Sequence, residues 1–147
     1  MTPPKISELH VLVVDDEADI RLGLTRLLGT LGIQAGQAAD GLEALTQLRN
    51  QEWDLVLTDL MMPGMTGSEL LAEIKKTWPD VAVVLLTGFG TVQTAVQCVQ
   101  AGASHFLTKP FDNEEILGII QRLGMQLLAK RQSPKIGIDV MVAEDPA

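Results

Sequence analysis

Cysteine, clustered positive charge and long hydrophobic runs are all scarce in this chain of 147 residues. The single cysteine, Cys98, cannot form an internal disulfide, so we expect it to have a packing role on a helix surface or in the core, and a reducing cytoplasm fits. The formal net charge is −8 and no window is rich in lysine or arginine, so the attraction that drives nonspecific nucleic-acid binding is missing. We therefore expect no direct nucleic-acid binding by this chain.

The sequence also shows neither a membrane-spanning helix nor a secretory signal. No apolar run approaches the roughly 20 residues that a membrane-spanning helix needs. The first ten residues, MTPPKISELH, carry prolines and charges where a secretory signal needs an apolar stretch. We therefore expect a soluble, cytoplasmic protein without membrane contact.

The length and a hydrophobic content of 46% suit one domain with a single core. We place that domain at residues 10–130, after an N-terminal extension at 1–9. The helical pattern stops near residue 131, and residues 136–142 alternate as in a strand. Flanking prolines at 134 and 146 favour a C-terminal linker or tail over residues 131–147.

Short apolar runs rich in branched residues alternate with helix-periodic segments along the chain. The runs predict strands at 11–14, 55–57, 81–86 and 106–107, with a weaker candidate at 33–38. Apolar residues at three- and four-residue steps predict five helices, beginning near Ile20, Leu42, Leu70, Val92 and Ile116. This alternation predicts an α/β fold with a doubly wound parallel sheet of five strands and five helices.

Polar side chains stand at or just after the ends of the predicted strands: Asp15, Asp16, Asp59, Thr87 and Lys109. Ligands of doubly wound sheets bind outside the carboxyl ends of the strands, so these side chains are expected to meet in one crevice. Three carboxylates there would repel one another unless they shared a cation, and hard oxygen ligands suit Mg²⁺. Asp16 and Asp59 are the expected direct ligands, with Asp15 nearby or acting through water.

The same crevice has the parts that phosphoryl transfer to a carboxylate requires. A metal ion and Lys109 would neutralise phosphoryl oxygens, and the Thr87 hydroxyl lies at a neighbouring strand end. Asp59 is the expected nucleophile, which would become an aspartyl phosphate.

Four strings carry a family resemblance: DD at 15–16, TDLMMPG at 58–64, LLTG at 85–88 and FLTKPF at 106–111. Together they resemble the receiver domain of bacterial two-component response regulators, of the CheY-like superfamily, over residues 10–130. The strings GFGTVQTAVQ and FLTKPFD are similar to receivers of NtrC-type transcriptional regulators. The resemblance implies a flavodoxin-like fold with strand order 2-1-3-4-5.

The resemblance also implies a role for each residue of the crevice. Asp15 and Asp16 would form the acidic Mg²⁺ pocket, and the Met61 carbonyl would complete the protein ligands. Asp59 would accept phosphate from a sensor histidine kinase or phosphotransfer protein, and Lys109 would pair with a phosphoryl oxygen. The Lys109-Pro110 bond would be cis.

A switch is implied by two further positions. Thr87 would be drawn towards the phosphoryl group and Phe106 would rotate inward, which would reshape the surface of the helix at 91–101. The expected partners are a downstream effector domain or protein and a second copy of the chain. The chain would catalyse only its own phosphorylation and dephosphorylation.

Two hypotheses that assign the chain to other functional classes remain open. One is a pseudo-receiver that serves as a phosphate-independent docking or dimerisation module, although such a module need not keep an acidic triad. The other is a small phosphatase acting on outside substrates. Phosphatases of the haloacid dehalogenase type carry a second aspartate two residues after the nucleophile, in a DxD pattern. This hypothesis is disfavoured because the corresponding position here is Met61.

Overall fold

The computed structural model describes residues 5–88 and 91–132. Within them, five strands alternate with five helices: β1 (Val11–Val14), α1 (Ala18–Gly29), β2 (Gly36–Ala38), α2 (Gly41–Asn50), β3 (Leu55–Asp59), α3 (Gly67–Thr77), β4 (Ala82–Thr87), α4 (Val92–Gln100), β5 (His105–Thr108) and α5 (Asn113–Gln132). All neighbouring strands are parallel, in the order β2-β1-β3-β4-β5. The α/β doubly wound fold and its strand order are confirmed.

The predicted strands differ from the observed ones mainly at their ends. The weak candidate at 33–38 is a strand only over Gly36–Ala38, where it pairs with β1. The strand predicted at 55–57 continues to Asp59, and the one predicted at 81–86 covers Ala82–Thr87. Asp59 and Thr87 are therefore the last residues of their strands, so the sheet itself fixes their backbones.

Both faces of the sheet are buried, which explains why its central strands are apolar at successive positions. Alternate residues of β1 point to opposite faces: Leu12 and Val14 join a cluster with α2, α3 and α4, while Val11 and Val13 join a cluster with α1 and α5. Of the two places expected for Cys98, a helix surface or the core, the structure has it in the core, within the first of these clusters.

The start of α3 lies directly against the end of β3. The N–H of Gly67, the first residue of α3, donates to the Leu60 carbonyl at 2.8 Å. A Cβ at Gly67 would lie 2.4 Å from the Asp59 carbonyl oxygen and 2.8 Å from the Leu60 Cα. Only glycine allows the helix to approach the strand end this closely.

The C-terminal end of α5 is bonded to the residues that precede β1 and β3, at the amino ends of these strands. Arg131 Nη1 lies 2.9 Å from Asp54 Oδ2, and the His10 N–H donates to the same oxygen at 2.8 Å. Arg131 Nη2 also donates to the Glu8 carbonyl at 3.4 Å, in a 3₁₀ turn at Ile6–Glu8. The bond from Arg131 to Glu8 joins the two ends of the described domain, which are 123 positions apart in sequence.

The division of the chain at residues 9/10 and 130/131 stays a proposal. The described part of α5 continues to Gln132. Of the linker or tail predicted at 131–147, residues 133–147, including the alternating residues 136–142, lie outside the described residues. No helix in the described part of the chain is long and apolar enough to cross a lipid bilayer.

We predict that Gly67→Ala lowers the free energy of unfolding by about 2 kcal/mol, because the new methyl group collides with backbone atoms that cannot rotate away. Urea denaturation measures the change. The matched control is Gly118→Ala in α5, where an added Cβ meets nothing within 4 Å. That variant should be unchanged or gain about 0.5–1 kcal/mol from its helix propensity. Equal stability of Gly67→Ala and wild type would contradict the prediction.

Candidate metal and phosphoryl site

Three aspartates converge at the carboxyl edge of the sheet. Asp15 and Asp16 follow β1, Asp59 ends β3, and the two strands are neighbours in which Val14 lies opposite Thr58. One carboxylate oxygen from each aspartate lies within 4.8 Å of the others. The structure thus brings together the three acidic residues that the sequence predicted to meet.

Asp15 is the most confined of the three, with only 2% of its surface exposed. Its Oδ1 accepts the Glu17 N–H at 2.9 Å, and its own N–H donates to the Ala38 carbonyl at 3.2 Å. Burial raises the pKa of the Asp15 carboxyl above its ordinary value, the Glu17 N–H opposes this, and the negative charge of Asp59 adds to it. A bound cation would relieve this cost.

Lys109 supplies a positive charge to the cluster. Its Nζ lies 3.9 Å from Asp15 Oδ2 and 3.9 Å from Asp59 Oδ2. The Lys109 N–H donates to the Thr87 carbonyl at 2.7 Å, and the Lys109-Pro110 bond is cis, as the family resemblance implied. One ammonium group against three carboxylates leaves the cluster with a net negative charge when all three are ionised.

The loop after β3 places a backbone donor at the same point. The Met61 N–H donates to Asp59 Oδ1 at 3.3 Å, while the Met61 residue is 54% exposed. The Met61 backbone therefore lies beside the cluster. Its carbonyl as a metal ligand stays a prediction.

The two residues predicted to form a switch lie on one face of the sheet. Thr87 is fully buried at the end of β4. Phe106, in β5, lies opposite Leu85 of β4, and Leu85 precedes Thr87 by two residues. Phe106 also packs against the cluster shared by α2, α3 and α4. Side chains two residues apart on a strand share a face, so both predicted switch residues face the side of the sheet that α4 covers.

The donor set fits a hard divalent cation. Three carboxylates with one oxygen each inside 4.8 Å can share one ion, and such oxygen ligands suit Mg²⁺ better than softer metals. Sequence reasoning did not find two groups that hold Asp15 in place, the Glu17 N–H and the Arg21 guanidinium. A backbone donor has no sequence signature. Arg21 lies in the first turn of α1, where nothing in the sequence pattern distinguishes it from other polar residues of the helix.

A comparison with family profiles matches the profile described as "Response regulator receiver domain" to residues 11–121. The chain belongs to the response regulator receiver domain family. Receiver domains of this family act as the phosphorylation-dependent switches of two-component systems, and the fold and the acidic cluster of this chain agree with that assignment.

Two curated relatives match nearly the whole chain. The DNA-binding transcriptional regulator NtrC of Salmonella typhimurium is 34% identical over 141 residues, which cover 93% of this chain and 30% of NtrC. Response regulator MprA of Mycobacterium sp. strain KMS is 37% identical over 131 residues, which cover 89% of this chain and 55% of MprA. The chain thus spans 30% of the length of this NtrC and 55% of the length of this MprA.

Solved structures agree with the fold. The beryllofluoride-activated NtrC4 receiver domain dimer matches with a TM-score of 0.76 and 34% identity, over 80% of this chain and 98% of that one. NtrX from Brucella abortus matches with a TM-score of 0.77 and 34% identity, over 84% of this chain and 28% of NtrX. In NtrX the matching part is therefore about a quarter of a longer chain.

We predict that Asp15→Asn raises the free energy of unfolding near pH 7 when divalent cations are chelated. The amide removes a buried charge and its repulsion from Asp59, yet its oxygen can still accept the Glu17 N–H. Because the pKa of Asp15 is raised in the folded state, wild type gains stability as the pH falls through that pKa, so the difference should shrink on acidification.

Urea denaturation at several pH values, with chelator and then with Mg²⁺, measures this effect. Asp19→Asn, at an exposed position in the first turn of α1, is the control and should gain nothing, since Asp19 is outside the acidic cluster. A wild-type protein that is more stable than Asp15→Asn in chelator would contradict the prediction.

Proposed function

We propose that Asp59 accepts a phosphoryl group from the phosphohistidine of a sensor histidine kinase or phosphotransfer protein. The observation that carries the proposal is the cluster of Asp15, Asp16 and Asp59 with the Lys109 ammonium group 3.9 Å from two of them. A nucleophilic carboxylate next to both a cation-binding group and a lysine is the arrangement that phosphoryl transfer needs.

In the proposed reaction an Asp59 oxygen attacks phosphorus, and the bond from phosphorus to the donor nitrogen breaks. The electron pair of that bond stays on the imidazole of the donor, and Asp59 becomes an acyl phosphate. Lys109 pairs with a phosphoryl oxygen and offsets its negative charge. Water later hydrolyses the acyl phosphate, which releases inorganic phosphate and restores the Asp59 carboxylate, so the only protein that the chain modifies is itself.

The proposed cofactor is Mg²⁺, held by Asp15, Asp16, Asp59 and the Met61 carbonyl. When bound, it would neutralise charge on the carboxylates and on the phosphoryl oxygens. The raised pKa of Asp15, which comes first from burial and then from the charge of Asp59, supports this assignment, because a shared cation would offset both effects.

The proposed output is a change of the surface around α4. Thr87 would move towards the phosphoryl group, Phe106 would rotate inward, and α4 would shift. The positions of Thr87 and Phe106 on the face covered by α4 support this route, since a change at either side chain is transmitted into that packing.

An uncharged stripe on α4 supports a role in contact with a partner. Val92, Val96 and Val99 are 83%, 48% and 55% exposed, and the helix from Val92 to Gln100 contains no charged residue. The similar NtrC4 receiver domain was solved as a dimer in its beryllofluoride-activated form. We propose that this stripe contacts a second copy of the chain or an effector domain.

The relatives guide the proposal for the whole protein. NtrC is a DNA-binding transcriptional regulator, and this chain corresponds to 30% of it. We propose that the chain serves as the cytoplasmic receiver part of a transcriptional regulator, with DNA contact left to another part of that protein.

We predict that wild-type protein gains one phosphoryl group on incubation with acetyl phosphate and Mg²⁺, and that Asp59→Asn gains none. Intact-mass spectrometry measures the change, with and without chelator. Asp19→Asn is the matched control and should behave like wild type, since Asp19 is an exposed aspartate of α1 outside the cluster. Phosphoryl gain by Asp59→Asn would refute the assignment. No gain by wild type, together with no Mg²⁺ binding, would favour a phosphate-independent docking module.

We predict that beryllofluoride with Mg²⁺ shifts the backbone amide resonances of residues 91–101 and the ring resonances of Phe106. The amides at the far end of α5, which Arg131 anchors to Asp54, should shift least. Two-dimensional NMR spectra measure this, with Asp59→Asn as the control that should not respond. Sedimentation of the same samples reports self-association. An unchanged α4 segment in a beryllofluoride-bound sample would refute the proposed switch.

A further inference from the structure

Arg21 links three elements around the acidic cluster. Its Nη1 donates to the Asp15 carbonyl at 2.7 Å, and its Nε donates to Gln37 Oε1 at 3.3 Å. Arg21 is in α1, Asp15 lies in the loop after β1, and Gln37 lies in β2. The guanidinium group therefore connects the loop that carries two candidate metal ligands to the neighbouring edge strand.

The bond to the Asp15 carbonyl fixes a particular peptide group. Asp15 is held at its N–H by the Ala38 carbonyl and at its side chain by the Glu17 N–H. The carbonyl held by Arg21 belongs to the peptide that joins Asp15 to Asp16. Arg21 thus sets the plane of the peptide from which the second aspartate of the pair continues.

Asp16 depends on that peptide for its orientation. Its side chain is exposed, and within residues 5–88 and 91–132 its carboxylate has no hydrogen-bond or ion-pair partner. Asp15 and Asp59, by contrast, each accept a backbone N–H and lie near Lys109. Of the three carboxylates, the Asp16 carboxylate is therefore positioned by its backbone alone.

Arg21 donates its hydrogen bonds to neutral acceptors and not to carboxylates. Lys109 faces carboxylate oxygens, whereas the Arg21 bonds go to a backbone carbonyl and a side-chain amide. Arg21 therefore occupies none of the carboxylate lone pairs of the cluster. A positive charge near a cation site weakens cation binding by repulsion. A positioning role for Arg21 and a purely electrostatic one consequently predict opposite effects of its removal.

We propose that Arg21 is a positioning residue of the metal site, which orients Asp16 by holding the peptide between Asp15 and Asp16. This inference rests on the proposed binding of Mg²⁺. Groups that orient metal ligands from outside the ligand set commonly change metal affinity by about tenfold or more when they are removed.

The test is a calorimetric titration of Mg²⁺ into wild-type protein and into Arg21→Ala, Arg21→Lys and Arg26→Ala. Arg21→Ala should bind Mg²⁺ about tenfold more weakly than wild type. Arg21→Lys should recover part of the loss, because an ammonium group can still donate to the Asp15 carbonyl. Arg26→Ala removes the same charge from the exposed last turn of α1 and should match wild type.

A second variant keeps the test valid if Arg21→Ala does not fold, which urea denaturation in chelator would reveal. Gln37→Ala leaves every charge and ligand in place and removes only the acceptor of the Arg21 Nε–H. It should weaken Mg²⁺ binding by a smaller factor than Arg21→Ala.

Three outcomes would overturn the inference. Mg²⁺ binding by folded Arg21→Ala that equals or exceeds that of wild type would leave Arg21 with at most an electrostatic effect. If Arg21→Ala does not fold, wild-type affinity in Gln37→Ala would have the same consequence. Absence of Mg²⁺ binding in wild type and Arg26→Ala alike would instead refute the proposed metal site, and the role of Arg21 with it.

Discussion

Repulsion among three carboxylates at one edge of the sheet is the constraint on which the rest of the site depends. Asp15, Asp16 and Asp59 are close enough to share an ion, and Asp15 is almost fully buried. Holding them together requires donors aimed inward, which the Glu17 N–H, the Met61 N–H and the Lys109 ammonium provide. It also requires a rigid support, and the two-faced apolar core of the sheet supplies that support.

The two faces of the sheet contribute differently to the molecule. On one face α1 and α5 pack over a buried cluster, and the end of α5 is attached to Asp54 through Arg131. On the other face lie Thr87, Phe106 and α4, whose exposed valines have no charged neighbours on their helix. The face with α4 therefore exposes an uncharged helix, while the opposite face is anchored by the ion pair between Arg131 and Asp54.

Much of the fold could be predicted because its signals are local. The apolar run at 11–14 became a strand with the same bounds, and Cys98 became a core residue. The strand predicted at 33–38 was shorter, since only Gly36–Ala38 pairs with β1 and the preceding residues complete the turn after α1. The contacts of Arg21 and Arg131 were not predicted, because a backbone carbonyl acceptor can be any residue type.

By itself, the sequence determined the alternation of strands and helices and the chemical types at the strand ends, since periodicity and residue type depend on neighbours along the chain. Only the tertiary structure decided how close Asp59 comes to Asp15, how Lys109 lies between them, and that Gly67 must lack a side chain. Those distances depend on the register of β1 against β3 and on how closely α3 approaches the strand end, and both are set by packing between segments far apart in the chain.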